Sequence, residues 1–188
     1  MFIGAFFNVL CSRNNGIMIG FLDESSAGRY RLCLVIMSEI NHSKFLKSSQ
    51  SFLLRGQSRF HMAKESPRRR REILDLLLRF PFSAYIFEID NLTLKPNSAR
   101  SHLMRAIGAH SSWSTISRLV FDRSTSENLD TRILQDLFQS TGHRLNFNHQ
   151  ASSLEPGLWV PDAILWAYAK GGEWRHKVGP SVKVFRVH

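Results

Sequence analysis

Cysteine is scarce: only Cys11 and Cys33 occur in 188 residues, and they form no CxxC pair. That excludes a disulfide framework and a thiolate zinc centre, and it fits a reducing, cytoplasmic setting. Both thiols are expected to act as plain apolar filler. Neither GxGxxG nor GxxxxGKS/T occurs, so the phosphate loops of nucleotide-binding folds are missing and no small organic cofactor is implied. The eight histidines carry no HxxxH or HExxH spacing, which removes the usual helical zinc motifs. A serine hydrolase would need a nucleophile elbow, and none is present. Long apolar runs are missing too. The opening "MFIGAFFNVL" is too short to span a bilayer, has no basic segment before it and no cleavage site after it. No membrane role is expected.

Acids are also in short supply. Fifteen Asp and Glu face twenty-five Lys and Arg, for a formal charge of +10. Such a balance favours a polyanionic partner, with nucleic acid ahead of an acidic membrane surface. The remaining composition, 43% hydrophobic and 21% charged, is that of an ordinary globular chain, and 188 residues suit one domain with a proper core. Met18 opens the first clear strand. The expected organisation is therefore an N-terminal extension over 1–17, consistent with a true start at Met18, followed by a single domain over 18–188.

Patterning gives the elements. Residues 17–23 and 29–38 read as strands, and the short "ESSAG" link makes them an antiparallel hairpin. A loose helix over 41–54 follows. "SPRRRREILDLLLRF" is a helix with Ser66 as N-cap, Pro67 at its first position and a stripe of Ile73, Leu74, Leu77 and Leu78. Strands are expected at 82–89, 115–122 and 143–150. Helices are expected at 97–110, 126–140 (closed by Gly142) and 158–172. The tail "SVKVFRV" could add a short edge strand. A meander followed by strand–helix alternation implies a mixed α/β sheet with helices on its faces.

Three of the scarce acids stand at element ends. "IMIGFLD" runs apolar into Asp23, "RLVFD" ends in Asp122, and Asp162 lies in the first turn of the apolar helix. Were the first and fourth strands parallel neighbours, Asp23 and Asp122 would meet at their C-terminal ends, where open α/β sheets place sites. A helix across that end could add Asp162. Clustered carboxylates repel one another, and a hard cation such as Mg²⁺ or Mn²⁺ relieves the repulsion. Two such ions can drive phosphodiester cleavage. Each acid also has a plainer reading. Asp23 suits a turn with Ser25 and Ser26. Asp122 could cap the next segment. Asp162 favours a helix N-terminus.

The segments "FLDESSAGRY", "RFHMAKESPRRRREILD" and "LWVPDAILWAYAKGG" together resemble an uncharacterised bacterial family of RNase H-like proteins. The resemblance spans most of 18–178. It implies an RNase H-like mixed five-stranded sheet with helices on both faces, and divalent-metal phosphodiester hydrolysis by analogy with the superfamily. Asp23, Asp122 and Asp162 match the positions where that superfamily keeps acids. Glu24 belongs to the shared opening but should point to the opposite face of its strand, so it ranks second as a metal ligand. The closing motif departs from the commoner Gln-x-Ala-Asp form. The superfamily often has a further acid on the helix after the third strand; "NSARSHLMRAIGAH" has none and carries Arg100 and Arg105 instead.

Several basic groups could serve a nucleic-acid partner. His61 and Lys64 could bind phosphate or move protons near the site, or merely cap the next helix from a surface loop. Arg68 and Arg69 open the densest charge run, Arg68 to Arg71, which is a solvated helix face or a phosphate contact. Arg123, beside Asp122, could pair with a carboxylate or a scissile phosphate. Trp159, Trp166 and Tyr168 read as core, and Trp174 as the better surface aromatic for base stacking. The functional expectation is a Mg²⁺- or Mn²⁺-dependent nuclease. Its rivals are a non-catalytic nucleic-acid-binding or regulatory relative, and a protein-interaction module.

Overall fold

The structure is a computed structural model, and it describes residues 16–26, 28–89, 94–124 and 126–188. Nearly all of the 1–17 extension lies outside these residues. Within them, six strands form one sheet: β1 (Met18–Ser25), β2 (Tyr30–Ser38), β3 (Ser83–Ile89), β4 (Arg118–Asp122), β5 (Asn146–Gln150) and β6 (Val182–Val187). Their order is β5-β4-β1-β2-β3-β6. β1, β2 and β3 form the antiparallel meander, while β4 lies parallel to β1, β5 to β4 and β6 to β3. The expected count of five strands becomes six. The tail adds a full edge strand because alternation turns Phe185 onto Phe87, with ring centroids 5.1 Å apart and the planes nearly parallel.

Among the described residues, six helices cover the two faces: α1 (Glu39–Ser51), α2 (Pro67–Leu77), α3 (Pro96–Ala109), α4 (Glu127–Thr141), α5 (Trp159–Lys170) and α6 (Gly172–Val178). On one face, Ile19, Phe21, Cys33 and Val35 of the sheet pack with α1, α2, α5 and α6. On the other, Leu22, Leu32, Leu34 and Phe121 pack with α3 and α4. The period-two alternation of β1 and β2 thus feeds two cores, which is why both strands are apolar almost throughout. Ser66 caps α2, accepting from the Arg69 N–H at 3.2 Å. α4 stops at Gly142, whose φ of +70° suits a residue without Cβ.

The closing helix differs from its expected form. It ends at Lys170, and the chain turns through Gly171 into α6, where the sequence pattern had suggested a surface segment. Trp174 is accordingly buried rather than displayed, set edge-on to Trp166 at 5.3 Å. Trp159 is deep core, as expected.

Candidate active site

β1 and β4 run parallel in a register that pairs Leu22 with Phe121. The next step along both strands places Asp23 beside Asp122. Alternation fixes their direction: Asp23 follows Ile19 and Phe21, and Asp122 follows Val120, all on the α5 side of the sheet.

α5 is brought to that end by a tightly built turn. Glu155 bonds His42 at 2.7 Å and accepts the Gly157 N–H at 3.0 Å. Burial works against the Glu155 charge, but the bond and charge of His42, the Gly157 N–H and Arg118 together outweigh it and lower the pKa. Gly157 lies directly against the Phe21 ring, where an added Cβ would stand 2.3 Å from the nearest ring carbon. This close approach sets the first turn of α5, which carries Asp162, over the end of β1.

The three carboxylates feel one another. Burial, then the charge of Asp162, then lesser pushes from Asp122 and Glu24 raise the Asp23 pKa from 3.8 to about 8. One backbone bond, from the Glu24 N–H at 2.8 Å, opposes this. Asp162 is raised by burial and by Asp122 to about 6, with Arg59 pulling the other way. Asp122 is also raised by burial, and is held back by the N–H groups of Ser152 (3.1 Å) and Arg123 (3.0 Å) and by Arg59. The Asp162 carboxyl has no hydrogen-bond partner among the described residues. Asp23, Asp122, Glu24, Arg100, Arg123 and Ser124 surround a depression of about 140 Å³.

Glu24 turns to the opposite face, as its place in the strand requires. There it meets Arg100 of α3 at 2.6 Å and accepts the Tyr30 hydroxyl. The buried Arg100 guanidinium also grips both oxygens of Asp130, at 2.6 and 2.8 Å, and Asp130 in turn bonds His149 at 2.9 Å. Burial disfavours the Arg100 charge, yet Asp130 and Glu24 more than offset it and raise the pKa. Glu24 is therefore bound to an internal cation.

The donor set of the trio is hard carboxylate oxygen, which suits Mg²⁺ or Mn²⁺ rather than a soft ion. Among the described residues, no three His, Cys, Asp or Glu side chains already stand close enough to hold one ion. The fit is one of chemistry and charge: three partly buried acids, of which Asp23 is held protonated near neutrality by burial first and by Asp162 and Asp122 after it.

No family model matches this sequence, and no curated protein matches it. Solved structures do. A chain in the structure of the PCNA:RNase HII complex from Archaeoglobus fulgidus superposes with a TM-score of 0.57 at 15% identity, covering 88% of this chain and 79% of that one. Ribonuclease H2 from Pyrococcus horikoshii OT3 gives a TM-score of 0.55 at 11% identity, covering 87% and 76%. The fold is RNase H-like.

On this RNase H-like frame the basic residues singled out from the sequence scatter. Arg123 lines the depression beside Asp122. His61 and Lys64 lie at the two ends of a short turn; burial, Arg59 and Lys64 lower the His61 pKa, and the acid facing it is Glu65. Arg68 and Arg69 are not brought to the acids. Arg68 pairs with Glu72 at 2.9 Å, and Arg69 lies 4.1 Å over the Phe52 ring and donates to the Phe52 carbonyl. Arg70 and Arg71 likewise lie over Trp166 and Trp174, so the run fastens α2 to its neighbours.

Two residues that matter were not singled out for what they do. Arg100 had been noted only where an acid was expected. Arg59 stands alone in an irregular polar stretch, and no local pattern distinguishes it. Among the described residues no helix is long and apolar enough to cross a membrane.

Proposed function

We propose that this protein is a divalent-metal-dependent nuclease that hydrolyses phosphodiester bonds, with Asp23, Asp122 and Asp162 as its metal ligands. The observation that carries the reading is the approach of Asp23 and Asp122 at the C-terminal ends of two parallel strands, with Asp162 of α5 near enough for its charge to raise the Asp23 pKa. Keeping three such groups together is costly unless a cation is to be bound. When bound, Mg²⁺ or Mn²⁺ supplies positive charge that activates water and stabilises the departing oxygen. The chain's own residues prepare this. Asp23 keeps its proton near neutral pH and must release it as a cation arrives. The backbone bonds to Asp122 fix one of its oxygens and aim the other. Arg123, beside Asp122, offers a donor to a phosphate oxygen. The excess of basic residues draws a polyanion to the surface. The name ribonuclease carried by the structural neighbours agrees with this reading.

One observation favours a second reading, a nucleic-acid-binding relative without catalysis: Glu24 is occupied by Arg100, which leaves three acids rather than four. Labelled single- and double-stranded DNA, RNA and their hybrid, incubated with Mg²⁺, Mn²⁺ or chelator, separate the two. Cleavage that requires metal and disappears in Asp23→Asn is the expected result. No cleavage, or equal cleavage by both proteins, would put the binding reading first.

A further inference from the structure

The small acidic depression continues past Asp122 and Arg123 into a second, larger groove of about 500 Å³. Its walls are Ser58, Arg59, Arg123, Ser152 and Ser153, with Asp122 on the shared rim. Two guanidinium groups and three hydroxyls therefore face one open space beside a carboxylate centre. Guanidinium forks and hydroxyls are the donors that phosphate oxygens select.

The mounting of these groups is firm. Arg59 donates to the Ser152 hydroxyl. The Ser152 N–H bonds Asp122 at 3.1 Å, and its carbonyl accepts from the buried Trp159 indole. Ser152 thus couples Arg59 to the rim acid and to the core at once. Arg59 is also the cation whose field restrains both Asp122 and Asp162. Arg123 is exposed, and its paired acid, Glu127, is a loose 3.8 Å away. By contrast, Arg68 to Arg71 are each engaged with an acid, a carbonyl or a ring of the chain itself.

We propose that this groove is a phosphodiester subsite: Arg59 and Arg123 hold a phosphate of the nucleic-acid strand that neighbours the one lying over Asp23 and Asp122. The shared wall makes the two depressions one path, which suits a continuous strand better than an isolated anion. The proposal rests on the nuclease reading for the identity of the strand, but its binding test does not depend on catalysis.

A fluorescein-labelled oligonucleotide titrated in EDTA, followed by anisotropy over a salt series, measures the subsite directly. Arg59→Ala is expected to weaken binding about tenfold. It should also reduce the slope of log affinity against log salt by about 0.7–0.9, the loss of one phosphate contact. Arg59→Lys should keep the slope and recover part of the affinity. Arg123→Ala should behave like Arg59→Ala, whereas Arg71→Ala, engaged with Glu173 and Trp174, should bind as wild type. Thermal melts confirm that each variant is folded. Wild-type affinity and slope in both Arg59→Ala and Arg123→Ala overturn the proposal, as does a wild type that binds no oligonucleotide. Weakened binding by these variants, in a protein that cleaves nothing, would sustain the subsite and remove the nuclease reading. Metal-dependent cleavage with unaltered binding would do the reverse.

Discussion

Asn in place of Asp23 should make the metal-free protein more stable, by an amount that depends on pH in a defined way. In the fold the Asp23 carboxyl titrates at about 8, against 3.8 for an unperturbed group. Below the lower value it is neutral in both folded and unfolded chains, so Asp and Asn are equivalent. Between the two values only the unfolded chain ionises, and wild-type stability falls by about 1.4 kcal/mol per pH unit. Above the upper value both states are charged and the deficit is constant, with a ceiling of about 5–6 kcal/mol. Relaxation and water entry around a strand end reduce this, and we expect about 2–3 kcal/mol at pH 8. For a chain of this size that is a rise in Tm of about 5–10 °C. The assay is a set of paired thermal melts of wild type and Asp23→Asn in EDTA from pH 4 to 9. The curves should coincide at pH 4, separate steadily to pH 8 and then run parallel. Adding Mn²⁺ should raise the wild type and leave the variant where it was. Equal Tm at pH 8, or a less stable variant, would refute the claim that a carboxylate disfavoured by burial and by its acidic neighbours resides at this strand end.

Two further changes test the frame around the site. Arg100→Met strands Asp130 in a fully buried position and should cost about 3–5 kcal/mol in urea melts; adding Asp130→Leu should restore most of that. Gly157→Ala drives a Cβ into the Phe21 ring and should cost about 1–3 kcal/mol by the same assay, with a larger loss of any metal-stimulated activity, because Asp162 moves with α5.

Much of this arrangement could be read from local pattern. The apolar part of β1 runs up to its acids, though the strand continues to Ser25; the β1–β2 hairpin follows from a short polar link, and Ser66 with Pro67 marks the start of α2. The parallel pairing of β1 with β4, inferred only as a condition, is observed in the register that sets Asp23 against Asp122. Period-two alternation also assigned Glu24 to the far face. What escaped was non-local. The pairing of Arg100 with Asp130 joins two helices, and nothing near either residue announces it. Arg59 gains its place from Ser152, nearly a hundred positions away in the chain. The sixth strand depends on β3 for a partner. α6 was hidden because Gly171 and Gly172 looked like an end rather than a corner. The arginine run misled for a related reason: charge in a sequence does not show whether a ring or a carbonyl lies underneath.

The central place of β1 has a consequence for how the chain reaches its native state. β2 can zip onto one side of β1 at once, but the other side waits for β4, which arrives from residues 118–122. Until then, the apolar run from Ile19 to Leu22 presents an unpaired backbone ladder to any other chain that passes. Closing so long a loop is slow compared with forming a hairpin. A chain caught before β4 arrives would be a meander with one unpaired border, and refolding yield should fall as protein concentration rises. The acids at the end of that border do a second job during this interval. They are the only like charges on it, and two copies docking in register, side by side, would have to bring them together. Asp23, crowded by Asp122 and Asp162 in the finished protein, would earlier help to hold two unfinished chains apart.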